Sequence, residues 1–291
     1  MAQALGSQGA RSGRLRRGES WPPPPRLGTV VMQDGSRGGL ALAFAVMWGV
    51  NVLSMMKGPG FPKSNAELSD LSPTYLTPDG VTFAIWPVIY LLELVATGKE
   101  VASTAPAIGR VAVRRFFLAL AFVLNALWLY VFTNEFYTLS CFVIACYLAA
   151  MARVYVSIDF GPKGGDNFAL RAGVAVNLAW LCVATPINVL VASARGSGGT
   201  PLGEPLPEPA GSQGLASTVA LALMALAVAA VVLRRDAGFA AAASWALFGV
   251  QRSQAAGEAD LVASVAGTCS TVCALGTVAG IVLYLKERRA S

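Results

Sequence analysis

The polar residues inside the apolar stretches of this chain are few, and their spacing is helical. NALWLYVFT (Asn125 to Thr133) and NLAWLCVAT (Asn177 to Thr185) share the pattern N-x-x-W-L-x-V-x-T. Asn and Trp three residues apart fall on one side of a helix, and Trp48 and Asn51 repeat that spacing. Trp86, Tyr90 and Glu93 form a stripe at i, i+4 and i+7; Trp180, Ala184 and Asn188 form another, beside Thr185. Indoles and amides together suit two jobs. One is glue, with amides hydrogen-bonding between helices and indoles filling space. The other is a ligand pocket, apolar with a few convergent polar groups. Residue type and spacing leave both readings open. Glu93 differs in kind, because a carboxyl inside a span is a pathway or proton site by default, unless it reaches the interface from a helix end.

The rest of the inventory narrows the chemistry. The chain has no histidine, which removes the commonest general base and the commonest metal ligand. The cysteines (Cys141, Cys146, Cys182, Cys269 and Cys273) sit in apolar segments at no zinc spacing and read as packing residues. No lysine lies mid-span, and there is no glycine-rich phosphate loop or nucleophile–base pair. An enzyme is not expected, nor a metal site, nor a nucleic-acid partner. Val282 to Lys286, VLYLK, fits a loose cholesterol-contact pattern, but an ordinary helix end explains it better.

These side chains need elements to position them, and composition says which. Of 291 residues, 55% are hydrophobic and only 13% charged. Soluble domains carry about 25% charged residues, so this chain reads as an integral membrane protein. Apolar segments fall at roughly 40–56, 81–97, 116–133, 137–157, 172–193, 215–233, 237–251 and 261–285. Their length without alternation predicts an all-α polytopic bundle of about eight transmembrane helices, with 237–251 the shortest. With eight spans, most arginines and lysines fall on the side of both termini. The other side keeps only Lys57, Lys63, Arg195 and Arg252. That bias predicts both termini in the cytoplasm or on the equivalent side of an organelle, and it leaves mitochondrial, plastid and endomembrane bilayers all open. Residues 1–38, rich in Arg and Pro, read as a disordered tail or a transit peptide. The remaining divisions are a membrane unit at 39–193, a Gly/Pro-rich loop at 194–214, a helical extension at 215–286 and a basic tail at 287–291.

At Leu76 to Glu93, LTPDGVTFAIWPVIYLLE, the chain resembles the loop-to-second-helix signature of the TspO/MBR family, the tryptophan-rich sensory proteins related to the mitochondrial translocator (peripheral benzodiazepine receptor) protein. Pro78, Phe83, Trp86 and Tyr90 match that signature. Asn125 and Trp128 match the third-helix N-x-x-W, and Trp180, Ala184, Thr185 and Asn188 match the fifth-helix W-x-x-x-A-T-x-x-N. The resemblance covers about residues 40–193 and is closer to a longer branch with extra C-terminal helices. It departs at Pro78-Asp79-Gly80, where the family has a double proline. It departs again at Val174-Ala175-Val176, where the family has Pro-Tyr.

The resemblance implies a helical bundle with an internal pocket for a flat hydrophobic ligand, a tetrapyrrole (porphyrin or haem type) or a sterol, and a sensory or transport-associated role. Trp86, Trp128 and Trp180 would wall the pocket, and Asn125 and Asn188 would orient the ligand, with Tyr90, Ala184 and Thr185 alongside. Expected partners are membrane lipid, the ligand and a second copy of the chain. The competing expectation is a secondary transporter of a small solute, with Glu93 on its path and a helix broken at Pro186.

Overall fold

The computed structural model describes residues 27–103, 108–160, 167–196, 203–257 and 259–290. Among them the structure is all-helical: α1 (Leu27–Met55), α2 (Asn65–Leu71), α3 (Ile85–Ala102), α4 (Gly109–Thr133), α5 (Tyr137–Ser157), α6 (Phe168–Gly196), α7 (Gln213–Arg234), α8 (Ala237–Ala256) and α9 (Asp260–Ala290). A short 3-10 turn at Gly80–Ala84 leads into α3. Most of the expected tail lies outside the described residues. Its last part is helical, because α1 reaches back to Leu27. Once a span fixes a helix, each further residue adds a hydrogen bond without a new nucleus.

Seven of these helices are long and apolar enough to cross a membrane: all the long ones except α8. The physical setting of α8 explains the exception. It has 20 residues, about 30 Å at 1.5 Å rise, enough to cover the hydrocarbon. Arg235 ends α7 in the left-handed conformation, and Asp236 caps α8 by accepting from the Gly238 and Phe239 amides. That tight turn sends α8 back along α7, and it also packs along α6 and α9. Its low hydropathy comes mainly from Gln251, Arg252, Ser253 and Gln254 in its last turns; the run before them is apolar but rich in alanine. Ala240, Ala243 and Ala246 are wholly buried. Small side chains let helices approach closely in lipid. At the α8–α9 contact, a Cβ on Gly280 would come within 3.3 Å of the Ala237 backbone.

Two groups of helices share the α6 seam. Helices α1 and α3–α6 form the first, and α7–α9 the second, with α6 packed against α3, α5, α7 and α8. Pro186 lies within α6, but the helix continues through it from Phe168 to Gly196. The broken helix expected for a transporter is therefore absent: the loss of one N–H at Pro186 is absorbed within a well-packed helix. The 56–84 connection folds over one end of the first group. Its α2 opens with a capping box in which Ser64 Oγ accepts from the Glu67 amide and Glu67 accepts from the Ser64 amide. At the opposite end of the bundle, buried Glu100 pairs with Arg114 at 2.6 Å and Arg115 at 2.9 Å.

Candidate functional site

The intramembrane polar residues meet in two layers. The deeper layer is a chain of hydrogen bonds through five helices. On α3, the Tyr90 hydroxyl donates to Asn51 Oδ1 of α1 at 2.6 Å. Asn51 Nδ2 donates to Asn125 Oδ1 of α4 at 2.9 Å. Asn125 Nδ2 donates to the Tyr147 hydroxyl of α5 at 3.4 Å. Asn177 Nδ2 of α6 donates to the same hydroxyl at 2.7 Å, and to Glu93 Oε1 on α3 at 2.6 Å. The two asparagines of the repeated motif thus converge on one tyrosine. All of Glu93, Asn125, Tyr147 and Asn177 are buried. Burial of so many polar groups is tolerable because most of their donors and acceptors pair with one another. Gly173, one turn before Asn177, makes the close α3–α6 approach possible, since a Cβ there would lie 3.2 Å from Leu92 Cβ and 3.5 Å from the Glu93 nitrogen.

The second layer lies one helical turn toward the 56–84 connection and is aromatic. Trp86 stacks on Tyr90 with centroids 5.6 Å apart and meets Trp180 edge-on at 6.0 Å. Phe83 meets Trp180 edge-on at 5.7 Å. Trp128 stacks on Phe132 and donates its indole N–H to Asn188 Oδ1 at 2.7 Å. Asn188 Nδ2 donates to Ser140 Oγ at 2.8 Å. Although α5 packs against both α4 and α6, Trp128 reaches Asn188 directly.

These rings border two spaces. A void of about 50 Å³ is lined by Trp86, Trp128, Trp180, Phe83, Ala184 and Asn188, under a roof that includes Asn65, Thr77 and Pro78. Next to it, a groove of about 450 Å³ runs between α1 and α3. Asn51, Ser54 and Met55 form one side, Trp86, Pro87 and Tyr90 the other, Trp128 and Leu129 the back, and Ser64, Asn65 and Ala66 the roof. Trp86 and Trp128 are walls of both. Of the residues singled out from sequence, Trp86, Trp128, Trp180, Ala184 and Asn188 border the void, and Trp86, Tyr90 and Trp128 the groove. Asn125 borders neither and serves the hydrogen-bond chain. Thr185 also borders neither, and its hydroxyl is buried without a partner. Glu93 does not reach the interface: α3 continues to Ala102, and the side chain is 2% exposed.

Sequence reasoning missed Tyr147, the junction of the chain. Its only signal was a hydroxyl in an otherwise apolar run. Trp48 shares the i, i+3 spacing with Asn51 yet turns outward, 53% exposed.

The roof is fastened from two directions. Arg195 at the end of α6 donates to the Leu71 carbonyl at 2.7 Å, to Ser72 Oγ at 2.8 and 3.1 Å and to the Glu204 carbonyl at 2.7 Å. Helix α8 supplies the other fastening. Trp245 donates its indole N–H to the Thr82 carbonyl at 2.8 Å, and the Gly249 carbonyl accepts from the Asp79 amide at 3.1 Å. Arg252 pairs with Asp79 at 2.8 Å.

A family model described as TSPO-like protein matches residues 39–279, more than four fifths of the chain and all of its long helices at least in part. The chain belongs to the TSPO-like protein family. The match runs past residue 193 and takes in α7, α8 and most of α9. Comparison with curated proteins and with solved structures returned no match. Membership and the apolar helices make this an integral, multi-pass membrane protein.

Proposed function

We propose that this TSPO-like protein binds a flat hydrophobic ligand of the tetrapyrrole or sterol class in the α1–α3 groove, in a sensory or transport-associated role and without transforming it. The observation that carries the reading is the pair Trp86 and Trp128, which wall the groove while polar Asn51 and Tyr90 sit at its deep end. At about 450 Å³ the groove has the size of a small-molecule site, commonly about 300–1,000 Å³. The void of about 50 Å³ is too small for a fused ring system and would receive a substituent at most. Indole faces stack on flat rings, each such contact adding about 0.5–1.5 kcal/mol beyond area burial. Asn51 and Tyr90 would take a ligand carboxylate or hydroxyl. Both termini belong on the cytoplasmic-equivalent side, supported by the basic-residue bias and by the length of α8.

Tryptophan-fluorescence quenching by protoporphyrin IX in detergent tests the assignment, with a sterol as competitor. Trp86→Phe and Trp128→Phe should weaken binding more than Trp180→Phe, because Trp180 borders the void and not the groove. Unchanged affinity in both groove variants would show that the ligand binds elsewhere.

A further inference from the structure

Glu93 borders neither the void nor the groove, yet it ends the hydrogen-bond chain that begins at the groove. Its surroundings carry a specific deficit. Asn177 Nδ2 donates to Glu93 Oε1, which leaves Glu93 Oε2 and Asn177 Oδ1 buried without partners. Both atoms are acceptors when the carboxyl is ionised, so neither can satisfy the other. A single proton on Oε2 turns one of them into a donor, and the amide oxygen on the group already in contact is its natural acceptor. That closes an acid–amide pair with two hydrogen bonds and removes both deficits. A third buried oxygen without a partner, the Thr97 hydroxyl, lies one turn further along α3. Glu93, Thr97 and Glu100 share a helix face, which leads to the end where Glu100 meets Arg114 and Arg115.

We propose that Glu93 is a proton-exchange site, its carboxyl paired with the Asn177 amide, and that occupancy of the α1–α3 groove is coupled to that proton through Tyr147, Asn125 and Asn51. The proton lost from Oε2 ends on solvent water, and the carboxyl regains one from solvent. The proton does not pass through the chain to the groove, because amides do not relay protons. The chain transmits donor and acceptor orientation instead. A ligand group that takes Tyr90 or Asn51 changes what Asn125, Tyr147 and then Asn177 present to Glu93. The ionisable groups around the site are Tyr147 of α5, Tyr90 and Glu100 on α3, and Arg114 and Arg115 of α4. Arg37 of α1 lies toward the Glu100 end, and α6 presents Asn177 and Gly173. The coupling half of the proposal rests on the ligand reading of the groove, and the proton half does not.

Two measurements on the full chain in nanodiscs separate the halves. Infrared difference spectra across a pH titration should show a protonated-carboxyl band that Glu93→Gln abolishes and Tyr147→Phe shifts. A wild-type spectrum without that band at any pH overturns the proton site. Quenching titrations with protoporphyrin IX should then show a wild-type Kd that moves by up to about tenfold per pH unit, the limit for one linked proton. In Glu93→Gln and in Tyr147→Phe that dependence should flatten while binding persists. Parallel pH profiles in wild type and Glu93→Gln overturn the coupling and leave the proton site standing. If the wild type binds no porphyrin at any pH, the ligand reading and the coupling both fall, and the infrared result alone decides the proton site.

Discussion

Gly249→Ala isolates the contact by which α8 holds the roof of the site. A Cβ built at Gly249 would lie 2.1 Å from Thr82 Oγ1 and 2.8 Å from both Thr82 Cβ and Cγ2. Turning the Thr82 side chain relieves the contacts to Oγ1 and Cγ2, but Thr82 Cβ is fixed to the backbone, so the 79–84 segment must move away from α8. That movement strains or breaks the Trp245–Thr82 and Gly249–Asp79 hydrogen bonds. Overpacking typically costs about 1–3 kcal/mol, and two hydrogen bonds add about 1 kcal/mol each, for a total of about 3–5 kcal/mol. The Arg252–Asp79 pair is left out of that sum because Arg252 is more than half exposed and solvent screens it. Thermal unfolding in detergent should fall by on the order of 10 °C, and porphyrin quenching should weaken, since Phe83 and Trp86 follow the displaced segment. Adding Thr82→Gly removes the obstructing Cβ and should restore most of both losses, whereas Thr82→Val should not. A Gly249→Ala protein with wild-type melting and quenching would refute the clamp.

The other fastening and the indole anchor are tested similarly. Arg195→Met deletes every hydrogen bond to Leu71, Ser72 and Glu204, so limited proteolysis within 203–212 should speed up; an unchanged cleavage rate would dismiss Arg195 as a latch. Trp128→Phe strands the buried Asn188 Oδ1 at about 1–3 kcal/mol, visible as a lower melting temperature even without ligand. On the roof, Lys57 and the Ser64 amide hold the Glu67 carboxyl at about 2, against 4.5 when unfolded. Its folded value is depressed, so its contribution is complete above 4.5 and is lost as pH falls through about 2. Protection factors of the α2 amides, which correct for intrinsic exchange, should fall over that acid window in wild type and vary less in Glu67→Gln.

The helices and the family were legible in the sequence because both follow from local patterns: long apolar runs, and N-x-x-W pairs at helical spacing. The gathering of Trp86, Trp128 and Trp180 was legible for the same reason, since each lies on a stripe with one inward face. Tyr147 was not, because its role depends on α5 standing between α4 and α6. Nothing in the local run around it records that. Nor was the roof clamp legible. Trp245 and Thr82 are 163 positions apart, and Gly249 matters only because Thr82 is pressed against it. Trp48 shows the opposite failure: the right spacing beside Asn51, but on a helix whose orientation only packing decides.

The repeated motif looked like a choice between helix glue and ligand pocket, and the structure divides it within each copy. Asn125 and Asn177 serve as glue, both donating to the Tyr147 hydroxyl. One turn on, Trp128 and Trp180 border a space. The two jobs depend on each other. Indoles can leave room between helices only if something else fixes the helix positions, and in lipid the hydrophobic effect does not drive helices together. Interhelical hydrogen bonds in the layer below supply that constraint. Both copies of the motif run the same way along α4 and α6, so both amides fall in the lower layer and both indoles in the upper one. An inverted copy would have put an indole against Tyr147 and an amide against the void, leaving the hydroxyl without its second donor and the void without a wall.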